Sequence, residues 1–234
     1  MHTAEDTLLE AYRHELFSGY PIQRHNLAKK GHREYCKCEA CGRGHSHRQA
    51  WHHKNLEAEL RYLEPGDMIV CDRHLFINSP SRTGCISVLN FTDVASKATW
   101  GFPQDATDSA YDAVERFYTS IIRPRKIVWK KFHSDNAKEL VCGRMAKFLT
   151  EVVGCSIASS PADTSALNGL AEVSNRCLGS MTLTAMLQAN ANQTYWADAY
   201  TTSLHVRFRL PAKTSKGWMY PYEFFEGVPP NLSH

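Results

Sequence analysis

Three acidic residues stand in surroundings where a carboxylate is hard to explain as solvent decoration. Asp72 closes the apolar run MIVCD (68–72), and alternation puts Val70, Asp72 and His74 on one face of the strand this run predicts. A carboxylate inside a strand is expensive to bury unless it is paired or bound to a metal. Asp135 ends IVWKKFHSD (127–135), at the C-terminal end of an expected strand, where α/β sheets gather ligand-handling groups. Glu172 lies in SALNGLAEVSNR (165–176), after a Gly-containing segment and at the expected start of a helix. Three oxygen donors of this kind suit Mg²⁺ or Mn²⁺. Two such ions about 4 Å apart serve in-line phosphoryl transfer without a covalent enzyme intermediate. Blander readings stand beside this one. The chain has 24 acidic residues, so some Asp…Asp…Glu triple arises by chance. Asp135 could simply N-cap a helix beginning near Ala137, and Glu172 could be a solvated helix residue.

A second cluster has softer chemistry. HNLAKKGHREYCKCEACGRGHSH (25–47) contains Cys38-x-x-Cys41, with His25 and His32 upstream. Two thiolates and two imidazoles suit a tetrahedral structural Zn²⁺. Cys36, His45 and His47 offer competing ligands, and the alternative is a metal-free basic segment. The other cysteines, Cys71, Cys85, Cys142, Cys155 and Cys177, stand singly in apolar surroundings and read as buried thiols, not as a disulfide framework.

The elements that must position these groups follow from periodicity. Residues 1–64 hold eight of the twelve histidines and few β-branched residues. Glu64-Pro65-Gly66-Asp67 then interrupts the chain and a strand signal begins at Met68. The runs 84–93 and 97–103, rich in β-branched and aromatic residues, predict a hairpin. Over 106–122, Ala110, Val114, Phe117, Tyr118 and Ile121 recur at helical spacing, with Thr107 or Asp108 as cap and Pro124 as stop. KIVWKKFHSD returns to strand. Val141, Met145, Phe148, Leu149 and Val152 mark a second helix closed by Gly154, and 155–160 a short strand. Helices are expected over about 167–189 and 194–208. The order β-β-β-α-β-α-β-α-α predicts an α/β fold: a mixed sheet with helices on its faces. The expected division is a His/Cys-rich zinc-binding segment over 1–64, a core over 65–210, and a C-terminal extension of that core over 211–234.

Composition narrows the classes. Hydrophobic residues make up 43% and charged residues 22%, ordinary for a globular chain. No apolar run reaches the roughly 18 residues of a membrane span, and the N-terminus has no secretory h-region. The expectation is nucleus or cytoplasm, not secretion and not a membrane. A net charge of +3 does not by itself demand a polyanionic partner.

GDMIVCD, VLNFTDVASKATW, HSDNAKEL, NGLAE and YWADAYTTSLHVRFRLP…GWMYPYEFFEG together resemble, in order over 67–227, the integrase of copia-type (Ty1/copia) LTR retrotransposons. The resemblance implies a ribonuclease-H-like core with a five-stranded sheet, preceded by an HHCC zinc segment. It also implies a DDE triad, which falls on Asp72, Asp135 and Glu172; Asp67 is the weaker first acid because it precedes the strand. The implied activity is two-metal DNA 3′-end processing and strand transfer by a polynucleotidyl transferase. The implied partners are double-stranded DNA, both element ends and target, and further copies of the chain. The alternative is a domesticated or decayed integrase fragment, catalytically inactive, that binds nucleic acid or protein. Two features depart from the family pattern: Val173 stands where Arg usually follows the Glu of NG-x-AE, and SSPADTSAL replaces a Pro/Gln-rich lead-in. Phosphate neutralisation dominates DNA affinity, and Lys138, Asn168, Asn175 and Arg176 surround the proposed site as DNA-contacting residues. Helical spacing puts Glu172, Asn175, Arg176 and Gly179 on one outward face, with Leu178, Met181 and Met186 inward. Trp100, Trp129 and Trp196 are expected in the core.

Overall fold

Ile69 and Cys71 alternate with Val70 and Asp72 along the first strand, β1 (Ile69–Leu75), so its two faces meet different surroundings. The computed structural model describes residues 63–76, 79–105, 110–134, 143–157 and 161–232, with side chains from residue 169 onward in the last span. β1 pairs antiparallel with β2 (Ser87–Asp93), which pairs antiparallel with β3 (Thr99–Gln104). On its other side β1 pairs parallel with β4 (Lys131–Ser134), and β4 with β5 (Ser156–Ile157). The resulting order β3-β2-β1-β4-β5 is the expected mixed five-stranded sheet. Residues 1–62 of the expected zinc-binding segment, with all four expected ligands, lie outside the described residues.

One sheet face is apolar. Ile69, Cys71, Leu89, Phe91 and Phe132 pack against α1 (Ala110–Phe117) and the chain after it, with Phe117, Ile122, Trp129 and Leu149 fully enclosed. Phe91 stacks on Phe117 at 4.4 Å between ring centroids. The helix expected over 106–122 passes after Phe117 into a π-helical turn, Tyr118–Ile122, and a 3₁₀ turn, Arg123–Arg125, that contains Pro124. Residues 106–109, with the expected caps, lie outside the description. The second expected helix is likewise short: α2 (Arg144–Lys147) runs into a π-helical turn, Phe148–Val153, that stops at Gly154. A π turn inserts a residue into the helical repeat. Val152, expected on the apolar face, is accordingly 60% exposed.

The other sheet face meets α3 (Pro161–Gln188) and α4 (Trp196–Phe208). Two apolar clusters form there, Val70, Val94 and Ala171 at one end, and Val88, Leu178, Trp196, Tyr200 and Leu204 further along. Between them lies a polar layer: Thr92 and Thr99 share a hydrogen bond (3.1 Å), Thr99 shares another with Ser174 (3.1 Å), and Asn90 is buried beside them.

The turn between β2 and β3 is organised by Asp93, which is wholly buried. Its carboxylate accepts from Ser96 N (2.7 Å), Ser96 Oγ (2.6 Å) and Gly66 N (2.8 Å). Burial raises this carboxyl's pKa despite those donors. Gly66 adopts φ +91°, and a Cβ there would meet Val128 O at 2.6 Å, so only glycine fits this approach. Lys97 takes a left-handed φ of 64° and folds its Nζ onto Val94 O at 2.8 Å. Burial lowers that ammonium's pKa to about 8.

Past α4 the chain forms a hairpin, β6 (Ala212–Thr214) and β7 (Gly217–Met219), then α5 (Pro221–Glu226); the sequence reading assigned none of the three. Ser215 at the hairpin tip donates its N–H to Ala95 O (2.9 Å) and its Oγ–H to Leu63 O (2.8 Å), and Lys216 pairs with Glu64 (2.9 Å). Phe225 from α5 packs on Trp100 at 4.5 Å, closing the core beside β3, while Glu226 pairs with Arg125 (2.8 Å). Trp129 and Trp196 are buried and Trp100 is packed against the core, as expected. No helix among the described residues is long and apolar enough to cross a membrane.

Candidate active site

Asp72 lies mid-strand on the α3 side of β1, half-buried. Its Oδ1 accepts from Arg73 N (2.8 Å) and its Oδ2 from Asn175 Nδ2 on α3 (2.6 Å). β4 runs parallel alongside, with Phe132 level with Ile69, His133 with Val70 and Ser134 with Cys71. The described part of β4 therefore ends one residue short of the level of Asp72. Asp135 itself lies outside the described residues.

Glu172 is exposed on α3, three residues before Asn175. Residues three apart on a helix are neighbours, with about 5–6 Å between Cβ atoms. Since Asn175 touches Asp72, the structure puts Glu172 within one helical turn of the Asp72 contact, on the element that covers it. The local setting differs from expectation: α3 begins at Pro161, and Glu172 sits about three turns inside a continuous helix instead of at its start. Gly169 is a helical residue of α3.

Asn175 also departs from its expected place. It is 7% exposed and turns toward the sheet, with its Oδ1 accepting from Asn90 Nδ2 (2.7 Å). Asn90 Nδ2 donates as well to the Tyr200 hydroxyl oxygen on α4 (2.6 Å). The outward face of this part of α3 consists of Glu172, Val173 and Arg176, without Asn175. Leu178 and Met181 are buried as expected.

His74, two residues beyond Asp72 on the same strand face, lies under Gly179 of α3 and tilts against Phe76 at 4.7 Å. Burial lowers its imidazole's pKa. Burial raises the Tyr200 phenol's pKa, the Asn90 bond opposes that shift, and the negative charge of Asp72 adds to it. Asp67, the weaker candidate for the first acid, pairs with Lys130 (2.6 Å) at the turn before β1. Burial alone would raise its pKa, but that ammonium brings it below the usual carboxylate range.

Of the other proposed site residues, Arg176 is exposed near Glu172, and Asn168 belongs to α3 with its side chain outside the description. Lys138, His25, His32, Cys38 and Cys41 lie outside the described residues. Among the described residues no three His, Cys, Asp or Glu side chains gather as a metal site; two of the three proposed acids are in that set. Asn90, Gly101 and Tyr200 were not singled out from the sequence. Asn90 had a visible signal, a carboxamide inside the apolar run SVLNFTD, the same anomaly that marks Asp72.

The fold is that of retroviral integrase catalytic cores. The chain is similar to the HTLV-2 integrase catalytic core domain, solved in complex with magnesium in a trimeric form, with TM-score 0.52 and 13% identity over 70% of this chain and 98% of that one. It is similar to the BIV integrase core with TM-score 0.50 and 14% identity over 69% and 95%. It is also similar to a chain of the simian T-cell lymphotropic virus intasome in complex with PP2A regulatory subunit B56 gamma, with TM-score 0.55 and 13% identity over 97% and 76%. No protein-family model and no curated protein matches the chain.

Proposed function

We propose that this chain is an integrase-type polynucleotidyl transferase of a copia-type retrotransposon, with Asp72, Asp135 and Glu172 as its metal-holding acids. The observation that supports this most is the half-buried Asp72 carboxylate on a strand whose parallel neighbour is described as far as Ser134, level with Cys71. Asp135 is covalently next to Ser134, and consecutive Cα atoms are about 3.8 Å apart. The carboxylate of Glu172, on the helix covering Asp72, completes an all-oxygen donor set of the kind Mg²⁺ and Mn²⁺ prefer. A pair of such ions, when bound, lowers the pKa of an attacking water or hydroxyl and stabilises the leaving oxygen. The chain's own part is geometric. Asn175 and the Arg73 amide hold both oxygens of Asp72, and the exposed Glu172 can reach outward from α3. Arg176 and Lys138 would neutralise DNA phosphates, contacts that position a duplex without reading its bases.

The test is strand transfer by the full chain on double-stranded DNA. Cleavage and joining are expected with Mg²⁺ or Mn²⁺ and none with EDTA; metal-independent activity would refute the mechanism. One observation favours the second reading, an inactive nucleic-acid-binding remnant: Val173, where the family pattern has Arg, is 57% exposed beside Glu172 and offers no charge to DNA. DNA binding without cleavage in either metal would select that reading. The zinc proposal for His25, His32, Cys38 and Cys41 is tested separately. About one zinc per chain is expected, lost in the Cys38→Ser/Cys41→Ser double variant, and full zinc retention there would end the assignment. The retroviral neighbours solved as a trimer and within an intasome support assembly from several copies.

A further inference from the structure

Strand register places Asp72, Asn90 and Gly101 side by side on β1, β2 and β3. From this row a chain of hydrogen bonds runs Tyr200–Asn90–Asn175–Asp72, with lengths of 2.6, 2.7 and 2.6 Å. Its inner members are sealed from solvent, with Asn90 1% and Tyr200 0% exposed. We propose that Asn90 and Tyr200 are positioning residues that fix the orientation of the Asp72 carboxylate through Asn175. The role given to Asp72 rests on the integrase reading; the contacts do not.

The chain has a direction. A primary amide presents an acceptor at one end and donors at the other, and only its partners decide which way it faces. Asn90 spends both Nδ2 hydrogens, one on Tyr200 and one on Asn175. Asp72, as a carboxylate, only accepts, so Asn175 turns its Nδ2 to Asp72 and its Oδ1 to Asn90, and the two Asn90 Nδ2 bonds hold that arrangement from behind. Turned over, Asn175 would set N–H against N–H on one side and carbonyl against carboxylate on the other. Tyr200 supplies the acceptor that keeps the Asn90 amide from swinging away. Asn90 Oδ1 is buried with no hydrogen-bond partner among the described residues, and it abuts Gly101. A buried acceptor without a donor works against stability, and the two Nδ2 bonds to Asn175 and Tyr200 offset that cost. What Asn90 adds is orientation at the far end of the chain.

The experiment uses Tyr200→Phe, which keeps the ring and removes the acceptor, in the full-length protein. Mn²⁺ binding is followed by water-proton relaxation, and exchange of the Asn175 side-chain amide by NMR. Tyr200→Phe is expected to raise the Mn²⁺ midpoint by roughly tenfold, at the lower end of the effect of outer-sphere partners on metal sites. It should also speed exchange of the Asn175 amide. In an Asn175→Ala background the same substitution should add nothing further, which a merely structural role would not produce. An unchanged Asn175 exchange rate in Tyr200→Phe, or an equal loss of Mn²⁺ affinity in both backgrounds, would overturn the proposal. If the wild type binds Mn²⁺ but does not process DNA, the integrase reading falls and the Mn²⁺ midpoints still decide the positioning role. If it binds no Mn²⁺, the metal reading falls and the Asn175 exchange rate decides alone.

Discussion

Asp72→Asn is expected to abolish Mg²⁺- or Mn²⁺-dependent cleavage and to lower the melting temperature modestly while the chain stays folded. The carboxylate accepts two N–H groups, from Arg73 and from Asn175, one at each oxygen. An asparagine offers one oxygen and one NH₂ at the same place, so one of the two donors must face another donor. The Arg73 bond is exposed and the Asn175 bond part-buried, so the loss is that of an ordinary hydrogen bond, about 0.5–1.5 kcal/mol. Glu172→Gln makes the contrast. Glu172 is exposed, and surface changes of this kind usually stay within about 0.5 kcal/mol, so this variant should lose cleavage at unchanged stability. Cleavage assays beside thermal melts separate the two acids. Full activity in Asp72→Asn would remove Asp72 from the site, and a large stability loss in Glu172→Gln would make that residue structural.

The second large effect is expected at Gly101. A Cβ there would lie 2.6 Å from Asn90 Oδ1, 2.8 Å from Leu204 Cδ1 and 2.9 Å from Val88 Cγ1. All three neighbours are themselves buried, so none can step aside into solvent. Overpacking of this kind typically costs about 1–3 kcal/mol, or roughly 2–12 °C in melting temperature for a chain of this size. Because the nearest atom belongs to Asn90, Gly101→Ala should also reduce metal-dependent cleavage by more than its thermal effect explains. Calorimetry with activity measured well below the melting point checks both. A Gly101→Ala protein as stable and active as the parent would show that the row across the three strands has slack.

Much of this architecture was legible beforehand, because strands declare themselves by alternation and the sheet has long ones at its centre. Val70, Asp72 and His74 were expected on one face, and all three meet α3 or its neighbours. The hairpin around Asp93–Lys97 was visible as two β-rich runs about a polar turn. Asn175 shows where periodicity misleads. It lies at the edge of the Glu172–Arg176 face by helical angle, and counting apolar residues assumes that a helix buries only apolar side chains. Here α3 covers a sheet face containing Asp72 of β1 and Asn90 of β2, so a carboxamide faces inward. The start of α3 was expected about six residues late because SSPADTSAL reads as a loop, whereas Pro161 occupies the first helical position, where proline is tolerated. The π-helical turns after α1 and α2 have no sequence period to find, and β6, β7 and α5 are too short to show one.

The fastening of Leu63 and Glu64 by Ser215 and Lys216 also sets an order in time. Ser215 is made 152 residues after Leu63. At ordinary translation speeds of about 5–20 residues per second, that interval is roughly 8–30 s. Throughout it, the approach to β1 lacks its clasp, and the aromatic wall beside β3 lacks Phe225 for longer still. A nascent chain released just past α4 would hold every proposed catalytic acid and yet have its first strand entered by an unfastened tether.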